Sequence, residues 1–376
     1  MNRDAGRETG ERRARPPATD VTGETVADRA LVVSTVREIL ASHERTAPDT
    51  HDSDPWDGPL WAALADAGMT GVGVPEDLGG SGGRYADAAA VVECLGAGAA
   101  AVPAAEHLLV AAPALSAYGL ELPDLSAPLS FAHGGRAVPA GGDRYRFTGP
   151  RLAVPFAAAV SSVVLLCRAQ EGDGAVLTRM DLADLPTESR HNLAGEPRDL
   201  VAFSGAQAPG VRLSPAQADA VRAHLALARA VQLSGALRQV LDWTCEYATE
   251  RTQFGRTLSR LPTVRAEIAR MAGEVAAATA TTQAAVAAAD RGADLVLPAA
   301  AAKIRAGAAV QAVARPAHQI HGAIGFTREH RLHRLTRRLW AWREEGGTER
   351  HWSRILGARL TDDGPADLWP RLVDAL

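Results

Sequence analysis

Apolar residues in the first third of the chain recur at the spacing of amphipathic helices. Between Thr22 and His43 they fall at Val26, Leu31, Val32, Val36 and Leu40. The stretch "DSDPWDGPLWAALADAGM" has Asp and Pro at a predicted helix start and Gly68 at its end. After the glycine-rich loop "VPEDLGGSGG", helices are predicted over Tyr85–Gly96 and from Pro103 onward. Residues 21–126 are therefore predicted to form an N-terminal helical domain.

The pattern changes to short alternating runs between residues 127 and 213. Examples are "YRFTG", "AAVSSVVLLCRA", "GAVLTRM" and "DLVAFSGA", separated by segments rich in Gly and Asp. Alternation over four to eight residues is typical of half-buried strands. This region is predicted to be a small antiparallel β domain.

Long alanine-rich helices are predicted from residue 214 to the end. Ser214 is a good N-cap with proline at the first helical position. The helices are expected over Ser214–Glu250, Pro262–Gly292 and Pro298–Ile320, because alanine has the highest helix propensity. The order helix, strand, helix predicts an α+β fold, mainly α. Residues 1–20 are charged and lack apolar periodicity, which predicts a disordered tail.

Composition narrows the class of protein without identifying its chemistry. Hydrophobic residues make up 47% and charged residues 22%, with a net charge of −4, so no nucleic-acid partner is expected. No apolar run is long enough to predict a membrane span. The histidines show no metal-binding spacing, so no metal is predicted. Three scattered cysteines indicate no disulfide framework, which favours the cytoplasm.

Three motifs suggest a family. They are "VPEDLGGSG" at residues 74–82, "YATERTQFGRTL" at 247–258 and "QIHGAIGFT" at 319–327. In this order, on a helix–β–helix background, they resemble the acyl-CoA dehydrogenases, and more narrowly their actinobacterial-type branch. The resemblance implies an N-terminal helical domain, a middle β domain and a C-terminal four-helix bundle. It also implies a dimer or tetramer that binds FAD and desaturates an acyl-CoA or other acyl thioester. Electrons would pass to an electron-transfer flavoprotein or a similar acceptor.

The residues of these motifs suit the FAD pyrophosphate, which needs cations or oriented N–H donors. Arg251 offers a guanidinium, Gln253 an amide and Phe254 an apolar face for a ring. Gln319 and the backbone around Gly322 would contact the pyrophosphate of a partner's FAD, since glycine allows close approach. His321 is a further candidate, with a packed helix-end histidine as the alternative. The family's second glycine is replaced by Ala323.

The catalytic base is the main departure from the family pattern. In the resembling family it is commonly the glutamate of a Glu-Gly-Thr turn. Counted from Gln319 without a gap, Gly347 and Thr348 match the Gly-Thr pair, and the base position falls on Gly346. Relatives with the base on the first bundle helix would place it near Leu225, beside a substrate-contacting arginine near Ala226, and neither residue type is present. Glu345 is the candidate base; Glu344, Glu349 and Glu329 are others, with surface charge as the alternative.

The middle domain departs from the family as well. "LSFAHGG" stands where a Thr-Glu-Pro…Gly-Ser-Asp loop would contact the flavin ring, and "RLAVPF" replaces a Trp-x-Ser/Thr element. Two main functional hypotheses follow. The chain is an FAD-dependent acyl-CoA dehydrogenase with an unusual base, or a non-catalytic subunit of a heteromeric dehydrogenase that completes the FAD site of a sister chain. A helical scaffold without flavin is a third hypothesis that leaves the paired motifs unexplained.

Overall fold

The N-terminal region is a cluster of helices in a computed structural model that describes residues 21–43, 56–253 and 255–361. The predicted tail at residues 1–20 lies outside the described residues. The helices are α1 (Val21–Ser42), α2 (Gly58–Asp66), α3 (Tyr85–Ala97), α4 (Ala104–Glu106) and α5 (Ala112–Ala117), with a π-helical turn at His107–Ala111 joining the last two. The Asp57 carboxylate caps α2 by accepting from the Leu60 amide at 3.1 Å. Each helix predicted from the apolar pattern is present within a few residues.

The middle region is a six-stranded sheet beside a three-stranded one. The strands are β1 (Leu129–Gly141), β2 (Arg144–Thr148), β3 (Leu152–Pro155), β4 (Ser162–Ala169), β5 (Ala175–Asp181), β6 (Thr187–Glu188), β7 (Arg198–Val201), β8 (Gln207–Pro209) and β9 (Val211–Leu213). The larger sheet has the order β8-β2-β1-β4-β5-β9, and the smaller one β3-β7-β6. All pairs are antiparallel except β1 and β4, which are parallel and aligned at Leu129 and Ser162.

The C-terminal region is a bundle of long helices. It consists of α6 (Pro215–Glu250), α7 (Pro262–Asp290), α8 (Val296–His321), α9 (Leu332–Glu344) and α10 (Glu349–Thr361), with a short hairpin of β10 (Thr252–Gln253) and β11 (Arg256–Thr257) after α6. Ser214 forms the predicted cap, since its hydroxyl accepts from the Gln217 amide and the Gln217 side chain accepts from the Ser214 amide. This arrangement confirms the predicted α+β fold.

One apolar core joins the N-terminal helices to the bundle, and α3 crosses α6 at close range. A Cβ added to Gly235 would lie 2.1 Å from the Glu93 carbonyl oxygen, so the two backbones touch there. A second core fills the space between the two sheets. Among the described helices, none has the length and apolar character to cross a bilayer.

Candidate functional site

The two predicted cofactor motifs meet at one open cavity of about 780 Å³. The end of α6, the short hairpin, the start of α7 and the end of α8 form its walls. Five of the predicted cofactor residues line it: Arg251, Gln253, Gln319, His321 and Gly322. Phe254, also predicted there, lies outside the described residues. Residues far apart in the chain thus share one surface.

Three polar side chains of this cavity are not paired with the described part of the chain. Arg251, Gln253 and Gln319 are exposed, and their side chains make no hydrogen bond or ion pair with the described part of the chain. The one carboxylate on the wall, Glu267, pairs with Arg270 outside the cavity. A free guanidinium beside two amides fits a pyrophosphate dianion, because charge-assisted hydrogen bonds to phosphate are strong.

Gly322 ends α8 with a backbone that only glycine adopts readily. Its φ of +66° and ψ of −143° lie outside the regions open to residues with a Cβ. No heavy atom lies within 4 Å of the place where a Cβ would stand. The backbone therefore presents an unobstructed face at the cavity wall, as the close approach of a phosphate requires.

His321 is packed behind this wall. Its ring stacks on Tyr247 with centroids 4.5 Å apart, and its Nδ1 lies 2.7 Å from the Ala317 carbonyl oxygen. Burial lowers the pKa of His321, so the imidazole is neutral near pH 7 and Nδ1 donates to the carbonyl. Its Nε2 is buried without a partner among the described residues. The ring supports the wall and leaves one acceptor uncommitted.

The second glycine turn, at residues 346–347, lies apart from the cavity and connects α9 to α10. The Trp352 indole donates to the Gly346 carbonyl at 2.7 Å, and the Thr348 hydroxyl accepts from the His351 amide at 3.2 Å. Gly347 and Thr348, whose match to the family's Gly-Thr pair predicts a cofactor contact, lie in the turn just before α10. None of Glu345, Gly346, Gly347 and Thr348 lines the cavity.

Gly346 leaves little space for a side chain. Its φ is +68°, and an added Cβ would lie 3.1 Å from the Leu225 carbonyl oxygen and 3.2 Å from Arg229 Cγ. The Cα of Ala226 would be 3.5 Å away. The two positions onto which the family's base is predicted to fall are thus neighbours here, and neither bears a carboxylate. We call this place, formed by Leu225, Ala226 and Gly346, the base corner.

Glu345 points into a group of buried charges beside the base corner. Its Oε1 accepts from Arg198 Nε at 2.9 Å and from Asn192 at 3.0 Å, and its Oε2 lies 2.9 Å from Arg229 Nη2. Burial opposes the charged form, but the attraction of Arg198 and Arg229 outweighs it and lowers the pKa of Glu345 to about 2. A carboxylate held this way is a weak base.

The other candidate carboxylates lie further out. Glu349 accepts from Arg343 Nε at 2.6 Å, Glu344 has a 64% exposed side chain, and Glu329 is exposed. Sequence reasoning missed the two arginines that contact Glu345, Arg198 and Arg229. It also missed the charges from distant parts of the chain that continue the group: Glu106, Glu196 and Arg338. The feature of the sequence that could have indicated these partners is Arg229, an arginine among the apolar residues of helix α6.

Comparison with known proteins identifies the family. Residues 24–122 match "Acyl-CoA dehydrogenase, N-terminal domain" and residues 218–361 match "Acyl-CoA dehydrogenase, C-terminal domain". The chain belongs to the acyl-CoA dehydrogenase family, whose members are flavoprotein oxidoreductases. It is 29% identical to acyl-CoA dehydrogenase IpdE2 of Mycobacterium tuberculosis, over 81% of this chain and 89% of that protein. It is 26% identical to FadE27 of the same organism, over 83% and 91%.

Solved structures share the fold. The ChsE4-ChsE5 complex of Mycobacterium tuberculosis superposes with a TM-score of 0.82 at 24% identity, over 92% of this chain and 99% of that chain. A variant of the Tcur3481-Tcur3483 steroid ACAD gives 0.81 at 24% identity, over 90% and 99%. Butyryl-CoA dehydrogenase of Megasphaera elsdenii gives 0.79 at 18% identity, over 91% and 99%.

Proposed function

We propose that this chain is the non-catalytic subunit of a heteromeric acyl-CoA dehydrogenase and completes the FAD site of a sister chain. The observation that carries the proposal is the contrast between the two glycine turns. The cavity around Arg251 keeps a set of uncommitted donors, whereas the base corner has a glycine with little space for a side chain.

This contrast matters because the two halves of a flavin site do different work. Arg251, Gln253 and Gln319 would bind and orient the pyrophosphate, and Gly322 would let it approach the backbone. FAD, when bound, accepts the hydride released from the β-carbon of the acyl thioester. A carboxylate must remove the α-proton, and this chain offers none at the base corner. The proton acceptor therefore belongs to the sister chain.

The middle domain also supports a division of cofactor binding and catalysis between two chains. "LSFAHGG", in place of the family's ring-contacting loop, forms the start of β1, and the stretch that replaces the Trp-x-Ser/Thr element forms β3. Two of the similar solved structures carry paired names, ChsE4-ChsE5 and Tcur3481-Tcur3483. A heteromer of two family members is the assembly that fits a chain with one intact half-site.

Co-expression tests the proposal. The chain should purify without flavin when expressed alone and as a yellow, active complex when expressed with a sister family member. The complex should oxidise an acyl-CoA with an electron-transfer flavoprotein or an artificial acceptor. A stable, yellow and active assembly of this chain alone would overturn the proposal.

Arg251→Ala examines the half-site directly. Loss of the guanidinium should strip most of the flavin from the complex, measured as visible flavin absorbance per protein, because a charge-assisted contact to phosphate is lost. Arg260→Ala is the matched control, since Arg260 is an exposed arginine of the same connection that does not line the cavity. Equal flavin content in the two variants would contradict the assignment.

A homomeric enzyme that uses Glu345 as its base is the second candidate. It is favoured by the position of Glu345 next to Gly346 and by its partial exposure, 21% of the side chain. The contacts of Glu345 with two arginines weigh against it. The Glu345→Gln substitution tests whether Glu345 acts as a base.

A further inference from the structure

We infer that Glu345 belongs to a clamp of six charges, the other five of them buried, that fastens the three domains around the base corner and closes it to acyl thioesters. The clamp consists of Glu106, Glu196, Arg198, Arg229, Arg338 and Glu345. Closure of the corner rests on the proposed function, whereas the fastening role stands on the contacts alone.

Arg229 links the bundle to the N-terminal domain. It lies on α6, and its Nη2 contacts both Glu106 Oε1 on α4 and Glu345 Oε2 after α9. Its side chain is 3% exposed and that of Glu106 is 2% exposed. One guanidinium therefore bridges a carboxylate of the N-terminal domain and a carboxylate of the bundle.

Arg198 links the β domain to the same carboxylate. It begins β7, and its Nε and Nη2 donate to the two oxygens of Glu345, each at 2.9 Å. Paired contacts of this kind fix orientation as well as distance. The Arg198 Nη2 also reaches Glu196 Oε2 at 3.0 Å. Glu345 is thus held by arginines from two different domains.

Glu196 connects the β domain to α9. Its Oε1 accepts from Arg338 Nε at 3.0 Å, and its Oε2 accepts from the Trp342 indole at 2.9 Å. Nearby, Lys303 of α8 donates to the Arg343 carbonyl at 2.6 Å, which fixes the end of α9 just before Glu345. The position of Glu345 is therefore set from both sides of its turn.

The clamp has three positive and three negative charges, so it is balanced as a whole. Buried ions are costly to desolvate, and they persist only when each is paired and hydrogen-bonded. Removing one charge leaves an uncompensated partner, which is more damaging than the loss of a surface pair. This pairing makes the clamp a fastening device, and the arginine contacts of both Glu345 oxygens oppose the uptake of a proton.

The Glu345→Gln substitution in the assembled, flavin-loaded complex distinguishes a role of Glu345 in holding the domains together from a role in catalysis. Hydrogen exchange over residues 190–198 should accelerate about tenfold or more, and the thermal midpoint should fall by about 5 °C or more, because Arg198 and Arg229 lose their shared anion. Turnover measured well below that midpoint should stay within about twofold. The control is Glu344→Gln, an exposed neighbour that should change neither quantity.

The opposite pattern would overturn the inference. If Glu345 were the catalytic base, the same substitution would lower turnover by about 10²–10⁴-fold and leave local hydrogen exchange as in the unchanged protein. Unaltered exchange and unaltered turnover would also overturn it, since the clamp would then fasten nothing.

A measurement without any variant covers the case in which Glu345→Gln does not fold. Saturating the unchanged complex with a straight-chain acyl-CoA should leave hydrogen exchange at residues 345–348 of this chain as it was. New protection at these residues would mean that the base corner binds the thioester, and the inferred closure would be wrong. The proposed function fails separately, if the chain alone is flavin-loaded and active.

Discussion

Gly346 combines a left-handed backbone with close neighbours at the point where a side chain would begin. The carbonyl oxygen of Leu225 and the Cγ of Arg229 stand 3.1 and 3.2 Å from that point. A glutamate placed there would meet both the strain of positive φ and the crowding of α6. The backbone conformation and the close neighbours at position 346 therefore favour glycine. Restoring a carboxylate there would require more than the exchange of one side chain.

We predict that Gly346→Ala is more destabilising than Gly292→Ala. Gly292 also has positive φ, +64°, but nothing within 4 Å of its Cβ position, so it carries the conformational cost of about 1 kcal/mol alone. Gly346→Ala should cost about 1 kcal/mol more through its contacts. Urea midpoints of the two variants measure the loss of unfolding free energy. Equal losses would show that the residues around Gly346 move to accommodate the methyl group without strain.

At this scale the sequence brought together the residues of the Arg251 cavity better than those of the charge clamp. Arg251, Gln253 and Gln319 lie in motifs whose spacing is recognisable, and they do share a cavity. The members of the clamp come from all three domains, and no local pattern distinguishes a glutamate paired in the interior from one on the surface. Whether Glu345 acts as a base stays a prediction that the Glu345→Gln experiment tests.

The crossing of α3 and α6 depends on glycines where the helices touch. Gly235 faces the Glu93 carbonyl, and Gly96 faces the Gln232 backbone, with 2.8 Å from its Cβ position to the Gln232 oxygen. Close contact of backbones at these points holds the N-terminal domain on the bundle.

We predict opposite effects for two glycine-to-alanine changes in the bundle. Gly235→Ala should destabilise by about 2–3 kcal/mol, because a methyl group must push α3 from α6. Gly273→Ala, on α7 with nothing within 4 Å of its Cβ position, should stabilise by about 0.5–1 kcal/mol through helix propensity. Denaturant midpoints measure both, and the same sign in both would contradict this account of the crossing.

The long elements were predictable and the strand pairing was not. Caps and prolines place the ends of α6 and α7 within two residues of the prediction. The parallel pairing of β1 with β4 brings together strands that are not consecutive, and such pairing depends on the whole sheet rather than on any single run. Alternation identifies a strand but not its neighbour.

For the whole molecule, the clamp makes domain association depend on the charge of Glu345. Its pKa of about 2 in the folded protein lies below the ordinary value of about 4.3 for an unfolded chain. A carboxylate with a lowered folded pKa contributes stability above the unfolded pKa. That contribution is lost as the pH falls from about 4.5 towards 2.

We predict that the stability difference between the unchanged protein and Glu345→Gln is largest near pH 7 and shrinks between about pH 4.5 and 2. Urea midpoints of both proteins across this range measure it. Glu344→Gln is the control, since it removes an exposed carboxylate from the neighbouring residue. A difference that stays constant over the window would mean that Glu345 is not held as an ion by Arg198 and Arg229.

The donors on the Arg251 wall face outward and share no lining residue with the base corner of their own chain. Under the proposed division of labour, a lesion at Arg251 would appear as a colourless sister polypeptide whose own sequence is intact. A screen that sequences only the colourless subunit would then miss the cause.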